Sequence, residues 1–167
     1  MSTISSIESN VVYKRPLWQN ITTLTLGFWL SASLFLDWVI MPSLYISGMM
    51  SQDSFASAGY SIFWSFNRIE LLCAGLVLTG VLVLSNSRFR NSPVITFLAV
   101  LLLAISFADT YFLTPQMSAI GVNLSLFNSL SPIPVTMNVL HGLYWVLDVV
   151  KLVIGGVILG WSWQQKV

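Results

Sequence analysis

Four apolar runs, each roughly 20 residues long, constrain the fold of this sequence more than any other feature. An α-helix rises about 1.5 Å per residue, so a run of that length crosses the ~30 Å hydrocarbon core of a bilayer. The sequence therefore predicts an all-α polytopic membrane protein, a four-transmembrane-helix bundle that forms one domain over 17–163. The predicted spans are 18–40, 60–84, 93–113 and 138–161, with polar tails at 1–16 and 164–167.

The composition supports this class and argues against several others. Only 8% of the 167 residues are charged, whereas a soluble domain carries about 25%. No basic patch is present, so nucleic acid is not an expected partner, and a single cysteine, Cys73, excludes an internal disulfide. The sequence also lacks a nucleophile–base arrangement, a phosphate loop and Cys/His zinc spacing. An enzyme is therefore not the favoured class, and no metal site or cofactor is firmly implied.

All Lys and Arg residues outside the predicted spans lie on one side of the predicted membrane. The connections after the first and third spans contain no Lys or Arg and only one acid, Asp53. The positive-inside rule therefore predicts that both termini, including the two tails, are cytoplasmic. The residues on the predicted cytoplasmic side are Lys14, Arg15, Arg88, Arg90 and Lys166.

The second and fourth spans resemble each other in sequence. The segment FWSFNRIELLCAG (63–75) aligns with YWVLDVVKLVIGG (144–156) at a constant offset. This similarity predicts two helical hairpins of the same orientation, related by a pseudo-two-fold axis along the membrane normal. Glu70 and Lys151 then lie at similar depth and form a buried pair of opposite charge. The alternative is coincidence, because Trp, Leu and Gly are common in membrane helices.

The first and third spans share a looser pattern. FLDWVIMP (35–42) and FADTYFLTP (107–115) each place an aspartate shortly before a proline. Proline lacks the backbone N–H and clashes with the preceding turn of a helix. Pro42 and Pro115 are therefore predicted to end the two helices.

Polar residues in or near the spans form the predicted binding site. A charge near the bilayer centre costs about 3 kcal/mol on insertion scales, so such residues usually face the bundle interior and pair. The predicted site opens toward the outer surface and ends near the midplane, because the inner half contains no charge. Its residues are Asp37, Arg68, Glu70, Asp109, His141, Asp148 and Lys151, with Asn67, Tyr144, Pro42 and Pro115 in support.

Helical geometry indicates how these charges pair. On the fourth span, one stripe contains His141, Tyr144, Asp148, Lys151 and Gly155. Asp148 and Lys151 are three residues apart and can pair within this stripe. Arg68 cannot reach the acid on its own helix, so we expect it to pair with Asp37, Asp109 or both. The alternative is that such pairs only fix the register of the helices and carry no function.

Four motifs together resemble a known family. FLDWVIMPSLY, FWSFNRIELL, ADTYFLTPQM and LHGLYWVLDVVKL are similar to the transmembrane protein 205-like family, a four-helix membrane domain of unknown function from bacteria and eukaryotes. The resemblance implies the fold but no established activity. It also suggests distant kinship to copper-resistance membrane proteins and to the bacterial membrane protoporphyrinogen oxidase. Those proteins bind haem or metal through several histidines or a His–Lys set, and this chain departs from them with one histidine. The amino-acid sequence of these motifs resembles cyanobacterial sequences, and this resemblance favours a bacterial inner membrane or thylakoid membrane.

Three functions fit these observations. The first is the binding or translocation of a small solute or ion at the outward-facing polar site. The second is a membrane redox protein that uses a porphyrin, haem or metal, with His141 as an axial ligand and outer methionines as Cu(I) ligands. The third is an accessory subunit of a larger membrane complex. The expected partners are the lipid bilayer and a second copy or a larger complex.

Overall fold

The computed structural model describes residues 17–49, 55–86, 93–127 and 135–164. These residues are almost entirely helical, which confirms the all-α class. The basic residues that carry the orientation prediction, the tail at 1–16 and the residue Asp53 lie outside the described residues. The orientation of the bundle therefore stays a prediction.

Four continuous helices make up the structure, and each is long and apolar enough to cross a membrane. Two of them contain one π-helical turn between two α-helical parts. The first helix consists of the α-helix Leu17–Phe35, the π turn Leu36–Ile40 and the α-helix Met41–Ile46. The third consists of the α-helix Pro93–Ala108, the π turn Asp109–Leu113 and the α-helix Thr114–Phe127. The second helix is Phe55–Asn86, and the fourth is Val135–Gln164.

The prediction that Pro42 and Pro115 end their helices is wrong. Each proline lies two residues after a π turn, and the helix continues beyond it. A π turn bonds each N–H to the carbonyl five residues earlier, which accommodates a residue that can neither donate to nor pack against the usual carbonyl. The first and third helices are consequently longer than the predicted spans 18–40 and 93–113.

The helices pack in a square, in chain order, with neighbours antiparallel. Each helix packs against the one before and the one after it, and the first helix closes the square against the fourth. The described parts of the first and third helices lie diagonally opposite, as do those of the second and fourth. We call the end with Ile46, Phe55 and Val135 the His141 end. The opposite end, with Leu17 and Gln164, is the Gln19 end.

A seam of small and polar residues brings the helices together. The buried positions of the first helix recur every three or four residues, the spacing that faces one partner seam. At the Gln19 end, the Gln19 side chain donates to the backbone oxygen of Ser162 at 2.6 Å, and Thr23 and Ser162 share a hydrogen bond at 3.0 Å. These contacts connect the start of the first helix to the end of the fourth.

The outer surface of the bundle is apolar. Large side chains that project outward from all four helices include Leu24, Leu72, Phe97 and Val153, each more than 60% exposed. An apolar surface this continuous fits hydrocarbon and not water. The helix lengths and this surface together are those of a multi-pass membrane protein.

An apolar layer fills the Gln19 half of the bundle interior. Leu26, Val77, Ala99 and Ile158 are among its fully buried members. This layer lies between the hydrogen bonds at the Gln19 end and the charged residues near the bundle centre. It agrees with the prediction that one half of the interior contains no charge.

Gly80 provides a test of the close approach between the first and second helices. A Cβ at this position would overlap the Thr22 hydroxyl, which donates to the Trp18 carbonyl at 2.8 Å. Gly80→Ala should therefore lower the free energy of unfolding by about 1–3 kcal/mol, as overpacking does. Thermal unfolding in detergent measures the loss.

The matched control is Gly75→Ala on the same helix, where a Cβ would meet nothing within 4 Å. It should leave the unfolding midpoint almost unchanged, and Thr22→Ala combined with Gly80→Ala should recover most of the loss. Equal midpoints for the two single variants would show that Gly80 does not determine the packing.

Candidate functional site

A lysine at the bundle centre is surrounded by carboxylates from three helices. The Lys151 Nζ lies 2.8 Å from Glu70 Oε2, 3.0 Å from Asp109 Oδ2 and 3.8 Å from Asp148 Oδ1. All four side chains are at most 3% exposed. The predicted buried pair of Glu70 and Lys151 is confirmed, and so is the Asp148–Lys151 pair, although the latter is too long for a hydrogen bond.

Helix length explains why these four residues meet. Glu70, Asp109, Asp148 and Lys151 each lie near the middle of their own helix, once the third helix is taken at its full length. The Lys151 side chain crosses the bundle axis to Glu70 on the diagonal helix. The flexible four-carbon stem of lysine allows this reach.

Both oxygens of Glu70 accept hydrogen bonds. Trp29 Nε1 donates to Oε1 at 2.7 Å, and the Ser33 hydroxyl donates to the same atom at 3.1 Å. Lys151 donates to Oε2. Glu70 therefore connects the first helix to the fourth as well as holding its own position. A buried carboxylate with this many donors is well stabilised.

The other acids of the cluster have fewer donors. Within the described residues, Asp109 Oδ1, both oxygens of Asp148 and Oδ2 of Asp37 are buried without a hydrogen bond of good geometry. The Trp38 side chain approaches Asp148, but not within that geometry. Asp37 lies within electrostatic range of Asp148. These three acids are the least satisfied part of the site.

The buried charges do not balance. Four carboxyl groups, those of Asp37, Glu70, Asp109 and Asp148, share the described interior with the single ammonium of Lys151. An unpaired charge in a low-dielectric interior costs several kcal/mol. The surplus acids are therefore neutralised by protons or by a bound positive species, or else they destabilise the bundle.

Two further polar side chains border the cluster. The Tyr144 hydroxyl is buried without a hydrogen-bond partner among the described residues, and Tyr144 lies within electrostatic reach of all four acids. Lys151 Nζ lies 5.6 Å from the centre of its ring. Asn67 donates from Nδ2 to the Thr114 hydroxyl at 2.6 Å, and its own Oδ1 has no partner in the described part of the chain.

The expected Arg68 cluster is wrong. Arg68 is exposed, and its guanidinium carbon lies 3.5 Å from the centre of the Trp64 ring. Of its two expected partners, Asp109 pairs with Lys151 instead, and Asp37 is buried in the interior. Arg68 and Glu70 project from different faces of the second helix, and the face with Glu70 is the one buried in the bundle.

His141 is also outside the cluster. It lies near the start of the fourth helix and is exposed, whereas Tyr144, Asp148 and Lys151 on the same stripe are buried. The predicted stripe is therefore confirmed from Tyr144 inward, and His141 marks its outer end. Pro42 and Pro115 each follow the π turn that contains Asp37 or Asp109, and no described hydrogen bond or ion pair joins either proline to the cluster.

The sequence analysis did not predict the hydrogen-bond partners that Glu70 and Asn67 find on the first and third helices. Trp29 and Ser33 bind Glu70, and Thr114 binds Asn67. A signal for the first two exists: counting back from Asp37 in steps of four residues reaches Ser33 and Trp29 on the same helix face. Thr114 follows the π turn, so regular helical spacing does not reveal it.

No described group of three or more His, Cys, Asp or Glu residues is arranged to hold a metal ion. The Lys151 ammonium lies among the carboxylates of Glu70, Asp109 and Asp148. Comparison of the chain with protein-family models, with curated proteins and with solved structures found no match. The resemblance to the transmembrane protein 205-like family therefore stays a prediction.

Removing the Lys151 ammonium tests the importance of the cluster for stability. Lys151→Met should lower the free energy of unfolding by about 3–5 kcal/mol, because it leaves buried carboxylates unpaired. Thermal unfolding and size-exclusion chromatography in detergent measure this. Glu70→Gln in the Lys151→Met background should recover part of the loss by removing one of those charges.

Arg68→Met is the control, since it removes the same charge from an exposed position. It should unfold within about 0.5 kcal/mol of the wild type, as surface substitutions usually do. A larger loss for Arg68→Met than for Lys151→Met would contradict this description of the cluster.

Proposed function

We propose that this chain is a multi-pass membrane protein that binds a small solute or ion at the Lys151 cluster and translocates it. The cluster comprises Asp37, Glu70, Asp109, Asp148 and Lys151. The observation that carries the proposal is the surplus of buried carboxyl groups whose oxygens have no donor. Buried ionisable residues in membrane helices usually mark pathways for ions, protons or substrates.

The unpaired atoms favour a positively charged species. They are carboxylate oxygens of Asp37, Asp109 and Asp148 and the amide oxygen of Asn67, all of them acceptors. The Tyr144 hydroxyl is the one unpaired group there that can also donate. Protons and small cations supply what these atoms lack, whereas an anion would add to the surplus negative charge.

The interior supports access from one side. Polar and charged residues extend from the cluster toward the His141 end, where Tyr144 and Asp37 lie. Toward the Gln19 end the apolar layer separates the cluster from Gln19 and Ser162. Translocation would require this layer to open, as one half of the bundle moves against the other in alternating access.

The contacts across the bundle axis support the two-hairpin repeat. Glu70–Lys151 and Phe63–Tyr144 each join residues 81 positions apart, the offset of the sequence repeat. Equivalent residues meet in this way on a two-fold axis. The first and third helices also share a feature at equivalent positions. Each has a π turn, which precedes Pro42 in the first helix and Pro115 in the third by the same number of residues.

The finer predictions on localisation belong to the same proposal. The positive-inside rule supports cytoplasmic termini, which would make the His141 end face outward. The resemblance to cyanobacterial members of the transmembrane protein 205-like family supports a bacterial inner membrane or thylakoid membrane. The redox and accessory-subunit alternatives draw on no specific contact in the cluster, and His141, the axial ligand of the redox alternative, is exposed.

Proteoliposomes test the proposal with protons, Na⁺ and K⁺ as probes. Ion-sensitive dyes inside the vesicles report flux after a membrane potential or a concentration gradient is imposed. We expect wild-type flux of at least one of these ions, and a reduction of about tenfold or more in Asp148→Asn, since an unpaired carboxylate is lost from the cluster.

The matched control is Asn20→Asp, which adds an acid at an exposed position of the first helix, away from the cluster. Its flux should equal that of the wild type. Wild-type vesicles that pass none of the three ions above the rate of empty vesicles would reject translocation. Binding is tested separately, by comparing the unfolding midpoint in NaCl with that in choline chloride. A stabilisation by NaCl that is the same in the wild type and in Asp148→Asn would reject a cation site in the cluster.

A further inference from the structure

Arg68 is a charged residue on the outer surface of the bundle at membrane depth. It lies within one helical turn of the middle of the second helix and faces away from the core. A charge in this position is costly in lipid unless it reaches polar groups or a counter-ion. All four acids of the described helices are buried in the interior, so none of them neutralises Arg68.

The Arg68 side chain extends toward the His141 end. Its guanidinium stacks on Trp64, one turn earlier in the helix. At 1.5 Å per residue, the level of Trp64 is about 10 Å from the helix middle. If the bilayer core is ~30 Å thick and centred there, the guanidinium lies about 5 Å inside the hydrocarbon boundary, near the lipid headgroups.

An open groove of about 400 Å³ runs along the same part of the second helix. Leu36 of the first helix contributes one wall. Most of the lining is apolar, and two serine hydroxyls interrupt it. The groove is lined by Leu36, Ser61, Ile62, Ser65, Phe66 and Ile69.

The serines connect the groove to the arginine. Ser61, Ser65 and Arg68 are spaced four and three residues apart, so they follow one stripe of the helix. Both serines are exposed, and neither takes part in a hydrogen bond with another described residue. Two hydroxyl donors and a guanidinium on one stripe are the groups that bind a phosphate, and an apolar groove beside them suits an acyl chain.

We infer that this surface binds an anionic phospholipid. Its phosphate contacts Arg68 and the hydroxyls of Ser61 and Ser65, and one acyl chain lies in the groove along Ile62 and Ile69. Charge complementarity selects the lipid, because the described helices offer Arg68 no acid and the phosphates just outside the hydrocarbon boundary are the anionic groups toward which its side chain extends. The site is separate from the Lys151 cluster and does not depend on the proposed function.

Native mass spectrometry tests the inference. The purified full chain is released from micelles that contain equal amounts of phosphatidylglycerol and phosphatidylcholine with identical acyl chains. The wild type should retain phosphatidylglycerol preferentially, and Arg68→Gln should reduce that preference about fivefold, since one basic residue near a membrane surface contributes about that much. Arg68→Lys should keep part of it.

Two further variants distinguish binding of the lipid headgroup from binding of the acyl chain, and a charge effect specific to this site from a general one. Arg88→Gln removes the same charge from the connection between the second and third helices and should keep the preference. Ile62→Trp fills the groove and should reduce the retention of both lipids while Arg68 is intact. Circular dichroism confirms that each variant is folded.

Two results would overturn the inference. One is the same lipid preference in Arg68→Gln as in the wild type. The other is a dimer that dissociates on Arg68→Gln while the number of retained lipids stays constant, which would assign this surface to a second copy of the chain.

Discussion

The contact between Lys151 and Glu70 holds the centre of this bundle together. Lys151 belongs to the fourth helix and also binds Asp109 of the third, while Glu70 of the second helix accepts from Trp29 and Ser33 of the first. One ion pair thus connects all four helices at a single depth. Packing between apolar helices gives little directional preference in lipid, so this network fixes which faces meet and at what register.

The sequence predicted the fold and the centre of this network for clear physical reasons. A run of about 20 apolar residues has few stable solutions in a membrane, and the four long apolar helices lie where the runs are. The Glu70–Lys151 pair followed from the internal repeat, which places opposite charges at equivalent positions. The buried stripe through Tyr144, Asp148 and Lys151 followed from helical spacing alone.

The predictions were wrong where a helix departs from regular spacing, or where regular spacing does not show which helix face is buried. Arg68 and Glu70 point to different sides, and helical angles alone do not say which side faces the neighbours. Asp109 was expected to pair with Arg68 instead of Lys151 because Pro115 was taken as the end of a helix that continues through a π turn to Phe127. Proline breaks a regular α-helix because it lacks the N–H and clashes with the carbonyl four residues earlier. A π turn shifts the hydrogen bonds by one residue and removes that clash, so the helix continues.

The apolar layer on the Gln19 side of Lys151 has an electrical consequence. It is a dielectric barrier about half a bilayer thick, formed by residues such as Leu26, Val77 and Ile158. Under the proposed function, a charge that reaches the cluster from the His141 end would cross at most about half of the transmembrane voltage, because the rest drops across this layer. That corresponds to at most about 1 kcal/mol per elementary charge at 100 mV, so the occupancy of the proposed site would depend on the membrane voltage.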